Sequence, residues 1–195
     1  MRDPILNPVR VVVDAGHGGK DPGATYGKLK EKDIVLEIAL IFSEMLTAGG
    51  FYSVMTRRDD TPIYNSQRAR IANNMGADVF VSVHCNADAD EDHPDMPEAK
   101  GSEIWIYPGS KSGIRLASSI MNQVYDEFPG RNFRGIKEAK FTVLKRTKMP
   151  AVLCEVGFID TVESLTKFDD NAILYKISKV LYSGVKDYAC KWLKL

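Results

Sequence analysis

Three short runs along this chain are apolar on both faces, and each gives way within a few residues to a polar group. Val11-Val12-Val13 ends at Asp14 and is followed by Gly16-His17-Gly18-Gly19. Val79 to Val83 leads into His84-Cys85-Asn86, and Ala151-Val152-Leu153-Cys154 leads into Glu155-Val156-Gly157-Phe158. Strands with two apolar faces need cover on both, which a parallel sheet between two helical layers provides. The segments between supply the helices. Lys30 to Met45 carries a stripe of Ile34, Ile38, Ile41 and Met45, widened by Leu36, Leu40 and Phe42, and Gly49-Gly50 stops it. Ser66 to Met75, Ile114 to Phe128 and Ile173 to Trp192 are further helices, the last with Ile173, Ile177, Val180, Leu181, Val185 and Tyr188 inward. Phe51 to Thr56, Glu103 to Tyr107 and Phe141 to Leu144 read as strands, and residues 87–100 and 129–140 as irregular. The predicted class is α/β: one three-layer domain over residues 1–195, with a mainly parallel or mixed sheet and helices on both faces.

Charge and cysteine content narrow the function. Lys plus Arg and Asp plus Glu number 26 each, so no net charge draws the chain to nucleic acid or to an anionic membrane. No apolar run reaches membrane-spanning length, so no membrane insertion is expected. Cys85, Cys154 and Cys190 are odd in number, widely spaced and free of any CxxC pair. They read as buried, reduced thiols rather than a disulfide framework or a thiolate metal site. The opening MRDPILNPVR has no apolar core of a secretory leader, so no signal peptide is expected.

Ligands of open α/β sheets bind outside the C-terminal ends of the strands. His17, His84 and Glu155 all fall there, and each can bind metal or move a proton. The segment Gly16-His17-Gly18-Gly19-Lys20 lacks the spacing of a dinucleotide loop and of a Walker phosphate loop. Its glycines instead leave His17 open to a ligand. One histidine alone reads equally as a metal ligand or a hydrogen-bonded structural residue; a second strand-terminal histidine favours the ligand. His93, in the acidic segment, reads as solvated. Glu31 by itself reads as a carboxylate at a helix start, favoured there by the helix dipole. Glu155 has an ordinary reading as the ion-pair partner of Arg57, Arg58 or Lys148; Glu103 reads as a group supporting the site from behind or as one facing solvent, and solvent is the expectation.

The order of these segments resembles the zinc-dependent N-acetylmuramoyl-L-alanine amidases of the type-3 family. The resemblance rests on Val13-Asp14-Ala15-Gly16-His17-Gly18-Gly19-Lys20-Asp21-Pro22-Gly23-Ala24, Leu29-Lys30-Glu31-Lys32-Asp33, and Thr56-Arg57 with Asp59 or Asp60. It continues in Ser82-Val83-His84-Cys85-Asn86-Ala87 and in the stretch from Thr147 to Phe158. The motif-bearing core runs from about residue 10 to residue 190. The resemblance implies a single catalytic domain with a twisted, mostly parallel sheet of about six strands. It implies one Zn2+ per chain on His17, Glu31 and His84, with Glu155 as the catalytic general base and acid. The implied reaction is hydrolysis of the amide between N-acetylmuramic acid and L-alanine in peptidoglycan, by a monomer acting at the bacterial cell wall. Without a leader, the chain is expected to be a phage-type lysin or a piece of a secreted protein. A zinc peptidase acting on other peptides and a non-catalytic wall-binding module are the alternatives. Cys85 departs from the alanine common in relatives. Residues 87–100 lack an apolar helical face, so no self-inhibiting plug is expected. The cations between 131 and 148 read as a solvated face or as the lining of a peptide groove.

Overall fold

The computed structural model describes residues 7–88, 100–160, 168 and 170–194. The expectations for His93 and for an unplugged 87–100 segment lie largely outside them. Strand β1 (Arg10–Ala15) is the first β-branched run. A two-strand hairpin, β2 (Thr25–Tyr26) and β3 (Leu29–Lys30), leads directly into helix α1 (Glu31–Ala48). There follow β4 (Tyr52–Met55), α2 (Asn65–Asn74), β5 (Val79–Asn86), β6 (Ser102–Ile106) and α3 (Lys111–Glu127). The chain continues with β7 (Phe133–Glu138), α4 (Thr142–Arg146), β8 (Ala151–Phe158) and α5 (Asn171–Tyr188), which runs on into a π-helical turn at Ala189–Leu193.

Among the described residues the main sheet has six strands in the order β4-β1-β5-β8-β6-β7. β4, β1, β5 and β8 are mutually parallel; β6 runs antiparallel to β8, and β7 parallel to β6. Side chains alternate between the two faces. One face, with Val11, Val13, Val79, Val81, Val83, Val152 and Cys154, packs against α1, α3 and α5. The other, with Val12, Phe80, Ala151 and Leu153, packs against residues of α2 and α4. Those two helices are short, so the alternation carries Phe80-Ser82-His84 and Ala151-Leu153-Glu155 out from under their cover. The predicted α/β sandwich is therefore the observed one, and its thinly covered face carries the site.

Several elements differ from the sequence reading. Phe141 to Leu144, expected as a strand, is the N-cap and first turn of α4, with Val143 and Leu144 buried. An apolar run this short carries no period that separates strand from helix. The segment expected to be irregular contains β7, an edge strand whose Gly135 and charged residues gave no strand pattern. The α1 core stripe is Ile34, Val35, Ile38, Ala39, Phe42 and Leu46; Ile41 and Met45 lie at its margin. β5 and β8 run past His84 and Glu155 instead of ending before them. Both residues are thus on the sheet face and not in loops, with Cys85 and Cys154 turned into the core on the other side.

Candidate active site

The start of α1 shows how local structure builds the site. Its N-cap, Lys30, makes no side-chain cap. The free amides of Glu31 and Lys32 instead donate to the carbonyls of Ala24 (2.8 Å) and Pro22 (3.0 Å). This fastens the loop after β1 to the helix and brings Glu31 up to His17. Glu31 Oε2 lies 3.1 Å from His17 Nε2, and Glu31 Oε1 lies 3.0 Å from His84 Nδ1. The two rings meet edge to face at 5.0 Å. One donor atom from each of His17, Glu31 and His84 falls within 4.8 Å of the others. Glu31 also accepts from the amides of Ala24 (2.8 Å) and Cys85 (2.9 Å). Burial would raise its pKa, but hydrogen bonds from both histidines outweigh this and hold it below the usual carboxylate range.

His17 is aimed by its neighbours. Its Nδ1 lies 2.9 Å from Asp21 Oδ2. This contact fixes the orientation of the ring, with Nε2 facing Glu31. Its backbone has φ 58°, a left-handed conformation costly outside glycine. Arg68 holds it there, donating to the His17 carbonyl at 2.5 Å, to the Ala15 carbonyl, and to Asp14 Oδ1 at 2.8 Å. Asp14 is fully buried and also accepts from Thr56 (2.6 Å) and Ser82 (2.6 Å). Arg57 donates to the carbonyls of Ala15, Gly16 and Lys32. Gly16 is required by packing: a Cβ there would stand 2.6 Å from His84 Nε2 and 2.8 Å from its Nδ1.

Beside this cluster, in direct register with His84, stands Glu155. Its Oε2 is buried and accepts no hydrogen bond from any described residue. Burial pushes its pKa up to about 7. None of Arg57, Arg58 or Lys148 pairs with it. Two cations are instead paired with Glu103, its cross-strand neighbour in β6. Glu103 is 2% exposed, against the expectation that it faces solvent, and binds Lys137 Nζ (2.5 Å) and Arg134 Nε (2.8 Å). A cleft of about 600 Å³ opens over the site, lined by His17, Glu31, His84, Glu155, Lys140 and Phe141 among others.

The four residues singled out in the sequence thus converge. Glu37, further along α1, is exposed and lies on another face of the helix. Sequence reasoning missed Asp21 and Arg68. The spacing of Asp21, four residues after a glycine-flanked histidine, was the available signal; Arg68 had none.

A donor set of two imidazoles and a carboxylate, with an uncommitted carboxylate alongside on an α/β sheet, is an arrangement that metal-dependent hydrolases use. Comparison with known proteins gives the family. The model of the N-acetylmuramoyl-L-alanine amidases matches residues 11–187, and the chain belongs to that family. It is 33% identical over 180 residues to a sporulation-specific N-acetylmuramoyl-L-alanine amidase of Bacillus subtilis, covering 91% of this chain and 67% of that protein. It is 36% identical over 183 residues to an endolysin of Bacillus phage SPP1, covering 91% and 65%. Among solved structures, an N-acetylmuramoyl-L-alanine amidase from Clostridium difficile 630 superposes with a TM-score of 0.87 at 32% identity, covering 95% of this chain and 99% of that one.

Proposed function

We propose that this chain hydrolyses the amide between N-acetylmuramic acid and L-alanine in bacterial peptidoglycan, using one zinc ion per chain held by His17, Glu31 and His84. The observation that carries the reading is the bare, buried Oε2 of Glu155 beside a three-donor cluster. The donor set supports zinc: one ligand atom from each of the three residues lies within 4.8 Å of the others, and two imidazoles with a carboxylate are a usual set for a catalytic zinc. Zinc bound there supplies Lewis-acid chemistry, polarising the amide carbonyl and acidifying water.

Glu155 does the proton work. Its proton affinity near neutrality suits a group that must both accept and return a proton. As base it takes a proton from the water whose oxygen bonds to the carbonyl carbon. As acid it delivers that proton to the alanine nitrogen while the carbon–nitrogen bond breaks. The products are the muramic carboxylate and a stem peptide with a free amino terminus. Residues 1–195 act in this reading as one catalytic domain and as a monomer. The setting is the bacterial cell wall; no described helix is long and apolar enough to cross a membrane. Relatives that include a sporulation amidase and a phage endolysin support an autolytic or a lytic role. The test is digestion of purified peptidoglycan with products identified by mass. Wild type is expected to release intact stems beginning at L-alanine, and Glu155→Gln none. Cuts inside the stem, or in plain peptides, would replace this reading with a peptidase.

A further inference from the structure

One wall of the cleft has no part in the hydrolytic steps. Lys140 and Phe141, from the turn before α4, line the same cleft as the donor cluster. Phe141 leaves 40% of its surface exposed, although a ring of this size gains by burial. A chain of contacts keeps it out. Phe141 meets Trp105 edge to face at 5.4 Å. Trp105 Nε1 donates to Glu103 Oε1 at 3.1 Å, and Lys137 Nζ sits 5.1 Å from the Trp105 ring centre while bound to Glu103. A buried carboxylate that the reaction does not use therefore fixes the ring on which an exposed aromatic leans. Lys137 is committed to Glu103, whereas Lys140 has no ion-pair partner among the described residues and is exposed on the cleft.

We propose that Phe141 and Lys140 form the recognition wall for an acidic stem peptide. Phe141 packs on the apolar side of the residues next to the scissile amide, Lys140 pairs with the first free carboxylate beyond it, and Trp105 and Glu103 are positioning residues that hold Phe141. This rests on the amidase reading and names the chemistry that its site selects. An aromatic anchor beside one well-placed charge is the usual composition of a specific pocket. A ring fixed before binding loses little entropy when the ligand arrives.

The test uses two soluble muramoyl peptides that differ only in whether the carboxylate of the second stem residue is free or amidated. Turnover and calorimetric affinity are measured for zinc-loaded wild type, Phe141→Ala, Phe141→Tyr, Lys140→Ala and Trp105→Phe, with melting temperatures to establish that each is folded. Phe141→Ala is expected to raise KM and Kd about tenfold for both peptides with kcat within about twofold, and Phe141→Tyr to restore them. Lys140→Ala is expected to weaken the free-carboxylate peptide by about tenfold and leave the amidated one unchanged. Trp105→Phe keeps a ring but loses the bond to Glu103. It should raise KM and add nothing in the Phe141→Ala background, because it acts through Phe141. Unchanged KM and Kd in Phe141→Ala, equal effects of Lys140→Ala on both peptides, or additivity of Trp105→Phe with Phe141→Ala would overturn the proposal. Affinity needs no turnover, so a chain that binds through this wall yet cleaves nothing would remove the hydrolase reading alone.

Discussion

Arg68→Met is expected to unfold this protein more readily and to loosen its metal site together. Arg68 and Asp14 are 2% and 0% exposed, and the guanidinium also holds the carbonyls of Ala15, His17 and Ile63. Removing one partner of a buried pair costs about 3–5 kcal/mol, because the other charge stays buried. That is a large part of the roughly 5–15 kcal/mol that holds a typical domain. At about 2–4 °C per kcal/mol for a chain of this size, the melting temperature should drop by roughly 6–20 °C. The pH dependence identifies the cause. In the wild type, burial would raise the Asp14 pKa, but Arg68 with the Ser82 and Thr56 hydroxyls outweighs it and holds the pKa below 3.8. Asp14 therefore stabilises the fold above pH 3.8, and that contribution is lost as pH falls through its lower folded value. Without Arg68, burial dominates and raises the Asp14 pKa, so the carboxylate takes up its proton at higher pH than in the wild type. The deficit measured by urea denaturation of metal-free protein should accordingly be smaller at pH 5 than at pH 8. A loss under about 1 kcal/mol at pH 8, or an equal deficit at both pH values, would refute the reasoning.

Other perturbations separate the parts of the site. Asp21→Ala removes the acceptor that aims His17, and zinc affinity measured by competition with a chelating dye should fall about 10–100-fold with the melting temperature of the apo protein little changed. Gly16→Ala puts a methyl group against the His84 ring, so zinc binding should be lost while the far-ultraviolet circular dichroism stays that of the wild type. In metal-free protein the Glu155 carboxyl should be half-protonated near pH 7, read from its carbon chemical shift. Since its folded pKa is raised, its charge weakens the fold above pH 7 and this weakening fades as pH falls toward 4.5. Glu155→Gln should therefore be more stable than wild type at pH 8, by about 1–3 kcal/mol, and the gain should shrink at pH 5.

The parts of the fold that were legible in the sequence are those where one face decides the residue. Val11 to Val13 and Val79 to Val83 sit inside the sheet, covered on both sides, and carry an apolar signal broken only at Ser82. β7 lies at the edge, where Arg134 and Lys137 serve Glu103, so its pattern is one of charges. Phe141 to Leu144 has the composition of a strand because Val143 and Leu144 are buried while the Phe141 ring lies at the cleft, and four residues are too few to show a period. The two histidines could be read from their glycine and strand contexts. Glu31 could not be read from its local context, since a carboxylate at a helix start has an ordinary explanation; the resemblance of Leu29 to Asp33 to a family motif singled it out, and the fold brings it between two imidazoles. Glu103 and Arg68 were illegible for a related reason. Each is a buried charge whose ion-pair partners lie 31 or more residues away along the chain, and pairing of this kind leaves no local trace.

The central claim is that His17, Glu31 and His84 hold a zinc ion while Glu155 moves the proton. The measurement that tests it most directly is back-titration of chelator-stripped protein with zinc, following bound metal and release of stem peptides together. Activity of the wild type should vanish on stripping and return in proportion to zinc, saturating at about one ion per chain. Glu155→Gln should bind the same one equivalent and remain inactive. Full activity in stripped protein, or wild-type turnover by Glu155→Gln, would contradict the account.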